Sequence, residues 1–363
     1  MESGKQIQKA GNNAQQIQAS TIIFNQGISE ERVRTIFNEM IPIALQNYTS
    51  DAYNVANQRI NKLEENILPK IDEVEGFLSA FADPSFQILL RKAQQTAAAT
   101  DREDDYALLS ELLASHVEKG NSRKNRAEIE KAVEIIDKID NDALCALTLI
   151  HVIQSSCPVV NSCTKFLWQL NFLFQRLVYC ELPTGRDWID HLDILDAVHI
   201  STQWTKKDIS EDYTSYLNGC FCTGIKIDSD DYQRAIELLV SIKLDESFLV
   251  PNELLDGYVR LPLRNQDQIN HLLCSEDDNS ERRLLTEDEK NKIRKVWDLY
   301  SKDSSLKAQV KSNFMRLWDE YESLHRVKEW WNKIPKNFYI TGVGKTIADI
   351  NAKRCCPDLS NTV

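Results

Sequence analysis

The chain has 363 residues, 42% hydrophobic and 27% charged, enough to bury a sizeable core spread over two or three domains. Glycine (11) and proline (9) are scarce, both at roughly half average usage, which points to helices, because loops and sheet corners draw on both residues. The net charge of −12 argues against whole-surface binding to nucleic acid or to an anionic membrane.

Residues 1–28 stand apart. "GNNAQQIQASTIIFNQG" opens on a Gly-Asn-Asn turn signal and continues with Gln, Thr and β-branched residues, the pattern of one or two short strands. One such hairpin is not stable alone. Its uncharged edges predict pairing between subunits through Ile17, Ile22, Ile23 and Phe24; a disordered polar tail is the other reading. The opening "MESGKQIQKAGNNAQQIQ" lacks the apolar core of a signal peptide.

Helices begin at Ser29, an N-cap followed by Glu30 and Glu31, with Val33, Ile36, Phe37, Met40, Ile43 and Ala44 on one face. Tyr48–Asp51 breaks this helix and caps a long one over 51–80. Its apolar positions Ala56, Ile60, Leu63, Ile67, Ile71, Val74 and Leu78 approach a coiled-coil seam, with a kink expected at Pro69. Ile60, Leu63 and Ile67 are candidate oligomerisation residues, though an intramolecular helix hairpin fits equally. A further amphipathic helix ends at Gly120, and "NSRKNR" reads as a loop.

Residues 143–164 carry no formal charge, yet His151, Gln154, Pro158 and Asn161 interrupt the run. A buried helix, a turn at Ser155–Pro158 and a second apolar helix over 165–180 are expected rather than a membrane span. "RDWIDHLDILDAVHIST" (186–202) reads as helical. Its Asp187 and His191, at i and i+4, are the weak candidates for a metal, beside Asp190, Asp193, Asp196 and His199. A structural helix with solvated acids is the stronger reading. "DDYQRAIELLVSI" predicts a helix, "GYVRLPL" a short strand, and "SEDDNSERR" (275–283) a charged linker.

The C-terminal segment 291–354 holds 14 Lys and Arg against 7 Asp and Glu, a net of +7 on an otherwise acidic chain. Three helices are expected at 286–302, 305–320 and 323–333. Phe314, Trp318 and Tyr321 form a core stripe, and Trp330-Trp331 are expected to divide between core and surface. "FYITGVGKTIADINAKR" ends on Gly342-Val343-Gly344-Lys345-Thr346, which looks like the end of a nucleotide-binding loop. The glycine that such a loop needs five positions earlier is Tyr339. The strand–turn–helix text resembles the close of many bacterial winged-helix domains. In that reading His325, Arg326, Lys328, Lys333 and Lys345 contact DNA. Against it, one strand stands where a wing needs two; a basic face docked on the acidic body is the simpler reading.

The nine cysteines, an odd number without zinc-knuckle spacing, suit a reducing cytoplasm. No hydrolase elbow, zinc-protease helix or dinucleotide fingerprint occurs. The expectation is therefore a non-enzymatic protein with no cofactor.

The runs "GNNAQQIQASTIIFNQGISEERVRTIF", "ADPSFQILLRKAQQTAA", "DREDDYALLSELL", "DWIDHLDIL" and "VKEWWNKIPKNFYITGVGKTIA" together resemble a family of uncharacterised bacterial proteins known by locus-tag names, with members in the accessory genome. The resemblance covers nearly the whole chain and implies no activity; anti-phage or mobile-element defence is its association. The expected architecture is mainly α: an N-terminal β and oligomerisation segment (1–28), a helical hairpin or coiled-coil-like region (29–130), a buried helical core with short β (131–275), a basic winged-helix-like α(+β) module (284–354) and a tail (355–363). The expected function is that of a cytoplasmic self-assembling protein, a sensor or effector in defence. Its partners would be its own copies, phage or neighbouring-gene proteins, and DNA through the C-terminal module, with no constitutive membrane association. The alternatives are a winged-helix DNA-binding regulator and a conditional membrane-disrupting effector using 143–180.

Overall fold

The computed structural model describes residues 29–357 apart from positions 47, 121, 204 and 275–282. The expected strands of 1–28, with Ile17, Ile22, Ile23 and Phe24, lie outside the described residues, as do most of the charged linker and the end of the tail.

The chain is mainly helical with a few small sheets. Helix α1 (Glu30–Ala44) starts where Ser29 accepts the Arg32 N–H at 3.3 Å. It buries Val33, Ile36, Phe37, Ile41 and Ala44, so Ile41 takes the inward place expected of Ile43. Helix α2 (Ser50–Ile67) stops before Pro69, and the single turns α3 (Lys70–Glu73) and α4 (Phe77–Ala80) follow. The expected kink is thus a break in the helix hydrogen-bond ladder: Leu68 and Pro69 keep right-handed helical angles, but Pro69 has no N–H to donate. Helices α5 (Pro84–Ala99) and α6 (Glu103–Lys119) receive the α2 seam: Ile60, Leu63 and Ile67 are fully buried within the same chain.

Helix α7 (Arg123–Ile135) begins inside the stretch read as a loop, because Ser122 caps it by accepting from Asn125 N–H. Helices α8 (Asn141–Ser155) and α9 (Cys163–Leu177) flank the expected turn at 155–158. Helix α10 (Asp187–Ile194) is only half the length that 186–202 suggested. The backbone turns left-handed at Asp196 (φ 60°) and continues as strand β1 (Val198–Ile200). Helix α11 (Ile209–Tyr216), strand β2 (Ile225–Lys226), helix α12 (Asp230–Val240) and strands β3 (Val250–Pro251), β4 (Tyr258–Arg260), β5 (Leu273–Cys274) and β6 (Arg283–Leu284) come next. Helices α13 (Glu287–Asp298), α14 (Ser304–Asp319) and α15 (Glu322–Lys333), strand β7 (Phe338–Ile340) and helix α16 (Gly342–Cys355) complete the order.

Strands β2, β4 and β3 form an antiparallel sheet in the order β2-β4-β3, with Ile225 opposite Val259 and Val250 opposite Arg260. With α12 and α13 they enclose a smaller core around Leu239, Leu261, Ile293 and Val296. The larger core runs from α1 to α11 and takes in α14, α15 and α16. Strand β7 pairs antiparallel with β1, Ile340 opposite Val198, rather than with a neighbour in sequence. Helix α16 then packs on α8, α7 and α6, burying Ile347, Ala348 and Ile350. Both tryptophans of α15 are buried, contrary to expectation. Trp330 donates its indole N–H to Pro183 O at 2.8 Å and Trp331 to Lys207 O at 2.9 Å, so each of the two adjacent side chains has a backbone partner of its own.

Candidate functional site

The text "GVGKT" turns out to be a packing device. Thr341 caps α16, its hydroxyl accepting from Gly344 N–H at 3.1 Å and donating to Asp196 O at 2.6 Å. A Cβ at Gly344 would stand 2.0 Å from Ala197 O, and one at Gly342 would stand 2.0 Å from Glu128 Oε1. The two glycines therefore admit the backbone before β1 and a carboxylate. An anion cradle needs open N–H groups at this end, and here a carboxylate stands against its first residue. Lys345 lines a cleft of about 230 Å³ with Lys119, Glu128 and Asp349.

Asp187 and His191 sit on α10 in a cleft of about 970 Å³ beside Asp140, Asp142 and Glu181. His191 Nε2 lies 2.8 Å from Lys138 O, as its donor, while His199 Nδ1 lies 3.4 Å from Asp193. Among the described residues no three His, Cys, Asp or Glu side chains converge to hold a metal ion.

Of the cations singled out on α15, His325 and Lys328 both bond Asp319, and Lys333 lies 3.9 Å from Glu329. Burial raises the Asp319 carboxyl, but the bonds from Lys328 and His325 outweigh it and hold the group below the usual carboxylate range. Arg326 lies apart, lining a small cleft with Glu322 and Phe174.

Sequence reasoning passed over the outer face of α9. Ser162 caps this helix, and Phe166, Leu167, Leu170, Leu173, Phe174 and Leu177 cover its inner side. On the opposite side Trp168 is 60% exposed and Phe172 40%. Their rings stack at 6.2 Å between centroids, 13° apart, and the Arg176 guanidinium lies 4.3 Å from the Phe172 centroid. Spaced at i, i+4 and i+8, the three side chains form one ladder along the helix. Its signal in the sequence was a helix apolar beyond a single face, with Trp, Phe and Arg at that spacing. No described helix is long and apolar enough to cross a membrane.

No curated protein matches the chain, and no solved structure does. A family model matches residues 27–362, nearly the whole sequence and all the elements described above. The chain belongs to that family, an uncharacterised one known by locus-tag names.

Proposed function

We propose that the protein is a non-enzymatic assembly protein that works through copies of itself. The observation that carries this reading is the Trp168–Phe172–Arg176 ladder. Tryptophan and arginine are enriched among the residues that dominate interface energetics, and the exposed aromatic faces of Trp168 and Phe172 gain by leaving water. The ladder is also self-complementary. A two-fold axis at Phe172 lays α9 antiparallel on its copy, places Phe172 on Phe172, and sets Arg176 of each chain over Trp168 of the other. Such a cation–π pair is favourable when desolvated, and an isologous contact of this kind closes a dimer.

Self-association through residues 9–27 adds a second contact in this reading, whereas the α2 seam is filled within the chain. Light scattering on the full chain, on a chain beginning at Ser29, and on Trp168→Glu/Phe172→Glu tests the proposal. An oligomer that loses mass in the double variant, with its helical signal intact, supports it; a mass unchanged by the double variant overturns it. A cytoplasmic sensor or effector in bacterial defence, meeting phage or neighbouring-gene proteins, is the role that the family resemblance suggests for such an assembly.

The second reading is a winged-helix DNA-binding regulator; against it, α13 packs in the smaller core apart from α14 and α15, and β7 pairs with β1 instead of a wing strand. Arg326 and Lys345 have no carboxylate partner within salt-bridge distance among the described residues. Salt-sensitive DNA binding lost in Arg326→Glu/Lys345→Glu would establish it, and no binding at low salt would eliminate it. The same aromatic face of α9 would serve a conditional membrane-disrupting effector, which liposome leakage would reveal.

A further inference from the structure

The segment 291–354 is basic, and tertiary structure sorts its cations. Arg316 pairs with Glu320, Lys328 with Asp319, Lys336 with Asp208, Lys353 with Asp349 and Arg354 with Asp104. Lys302, Lys307 and Lys311 have no carboxylate within salt-bridge distance among the described residues, and all three line one cleft of about 480 Å³. In a chain of net charge −12, acidic partners are plentiful, so three unpaired lysines around one hollow are a local reversal of sign.

The cleft lies where the two cores meet. Val310 and Phe221 belong to the larger core; Cys222, Trp297 and Tyr300 belong to the smaller one. Its floor is fixed. Ser301 N–H donates to Gly224 O at 2.9 Å, and the Thr223 hydroxyl donates to Ser301 O at 2.6 Å. The Tyr300 hydroxyl accepts from Leu261 N–H at 2.7 Å. Gly224, at φ +71°, lets this stitch close: a Cβ there would stand 2.2 Å from Val259 O. Trp297 stacks on Tyr300, centroids 5.2 Å apart and planes 22° apart, and gives the cleft a flat aromatic wall. Asp298 is the one carboxylate among the lining residues; Asp303, next to Lys302, is occupied in capping α14 through Ser305.

We infer that this cleft binds a nucleotide. The three ammonium groups supply the charge for a di- or triphosphate, and point-charge recognition of phosphate is what lysine does well. Trp297 and Phe221 supply the apolar surface for a base, and the volume lies within the range of small-molecule sites. The chemistry separates this site from the "GVGKT" segment, whose helix terminus already has a carboxylate against it.

The test is calorimetric titration of the full chain with ATP, GTP, inorganic triphosphate and adenosine, at low and moderate salt. The expected result is nucleotide binding that weakens with salt and exceeds triphosphate alone by about tenfold or more, the share owed to the aromatic wall. Lys302→Gln/Lys307→Gln/Lys311→Gln should lose about tenfold or more in affinity while keeping its melting temperature, since the three side chains are exposed. Trp297→Phe should retain part of the base preference. Absence of binding at about 1 mM nucleotide, binding kept in the triple variant, or triphosphate binding as tightly as ATP would each overturn the inference.

Discussion

Replacing Gly344 with alanine tests the packing account of "GVGKT" directly. The new Cβ would stand 2.0 Å from Ala197 O and 2.8 Å from Ile340 Cγ2, where an unstrained contact needs roughly 3.5 Å. The backbone at 197 must retreat. Its carbonyl accepts the Thr341 N–H at 3.1 Å, so the retreat loosens the entry to α16 and the end of the β1–β7 pair together. Overpacking of this kind costs ~1–3 kcal/mol, and weakening that hydrogen bond costs ~1 kcal/mol. The helix preference of alanine returns ~1 kcal/mol, leaving a net loss of about 1–3 kcal/mol. Gly342→Ala is the control. Its Cβ meets only the far end of the Glu128 side chain, which can swing aside, so the variant should stay within about 1 kcal/mol of the parent. Urea denaturation followed by tryptophan fluorescence gives both numbers, provided the m-values agree. A Gly344→Ala protein as stable as the parent, or equal losses at the two glycines, would refute the reasoning.

Asn351 is fully buried on α16, donating to the Thr148 hydroxyl at 2.8 Å and accepting from Arg354 Nε at 2.9 Å. Asn351→Ala should destabilise the chain by ~1–3 kcal/mol in the same urea assay; no change would mean that this contact between α16 and α8 is dispensable. At α13, Thr286 and Glu289 form a reciprocal capping box. Glu289 also takes two bonds of 2.9 Å from Arg283. The Arg283 bonds, then that from Thr286 N–H, hold the Glu289 carboxyl down to about 2. A depressed carboxylate stabilises the fold above its unfolded value of ~4.3 and loses that contribution as the pH falls toward 2. Glu289→Gln should therefore be ~1 kcal/mol less stable near pH 7, with the difference shrinking below pH ~4. A pH-independent difference would show that the charge does not matter.

Helix periodicity and caps made most of the fold legible. Ser29, Thr49 and the Phe314–Trp318 pair all took the places that local pattern assigns. What local pattern missed depends on distant partners. Residues 198–200 read as helix because their reason for being a strand, β7, lies some 140 positions away. Trp330 and Trp331 read as an inside–outside pair because sequence does not show that the 183 and 207 backbones flank α15. The candidate sites follow the same rule. The +7 of the C-terminal segment was visible, but which of its cations are free depends on acids as remote as Asp208, paired with Lys336, and Asp104, paired with Arg354. The α9 ladder was hidden in "FLWQLNFLF", where inward and outward aromatics are interleaved.

A compensating exchange on α9 distinguishes a dimer closed through that helix from any other arrangement. Solution mass is measured by light scattering for Trp168→Lys, for Arg176→Glu, and for the chain carrying both changes. The two-fold arrangement predicts that each single variant loses mass, because lysine then faces arginine or glutamate faces tryptophan. The double variant should recover the parental mass, because lysine and glutamate now meet across the axis. Parental mass in both single variants, or a double variant as dissociated as they are, would contradict the account.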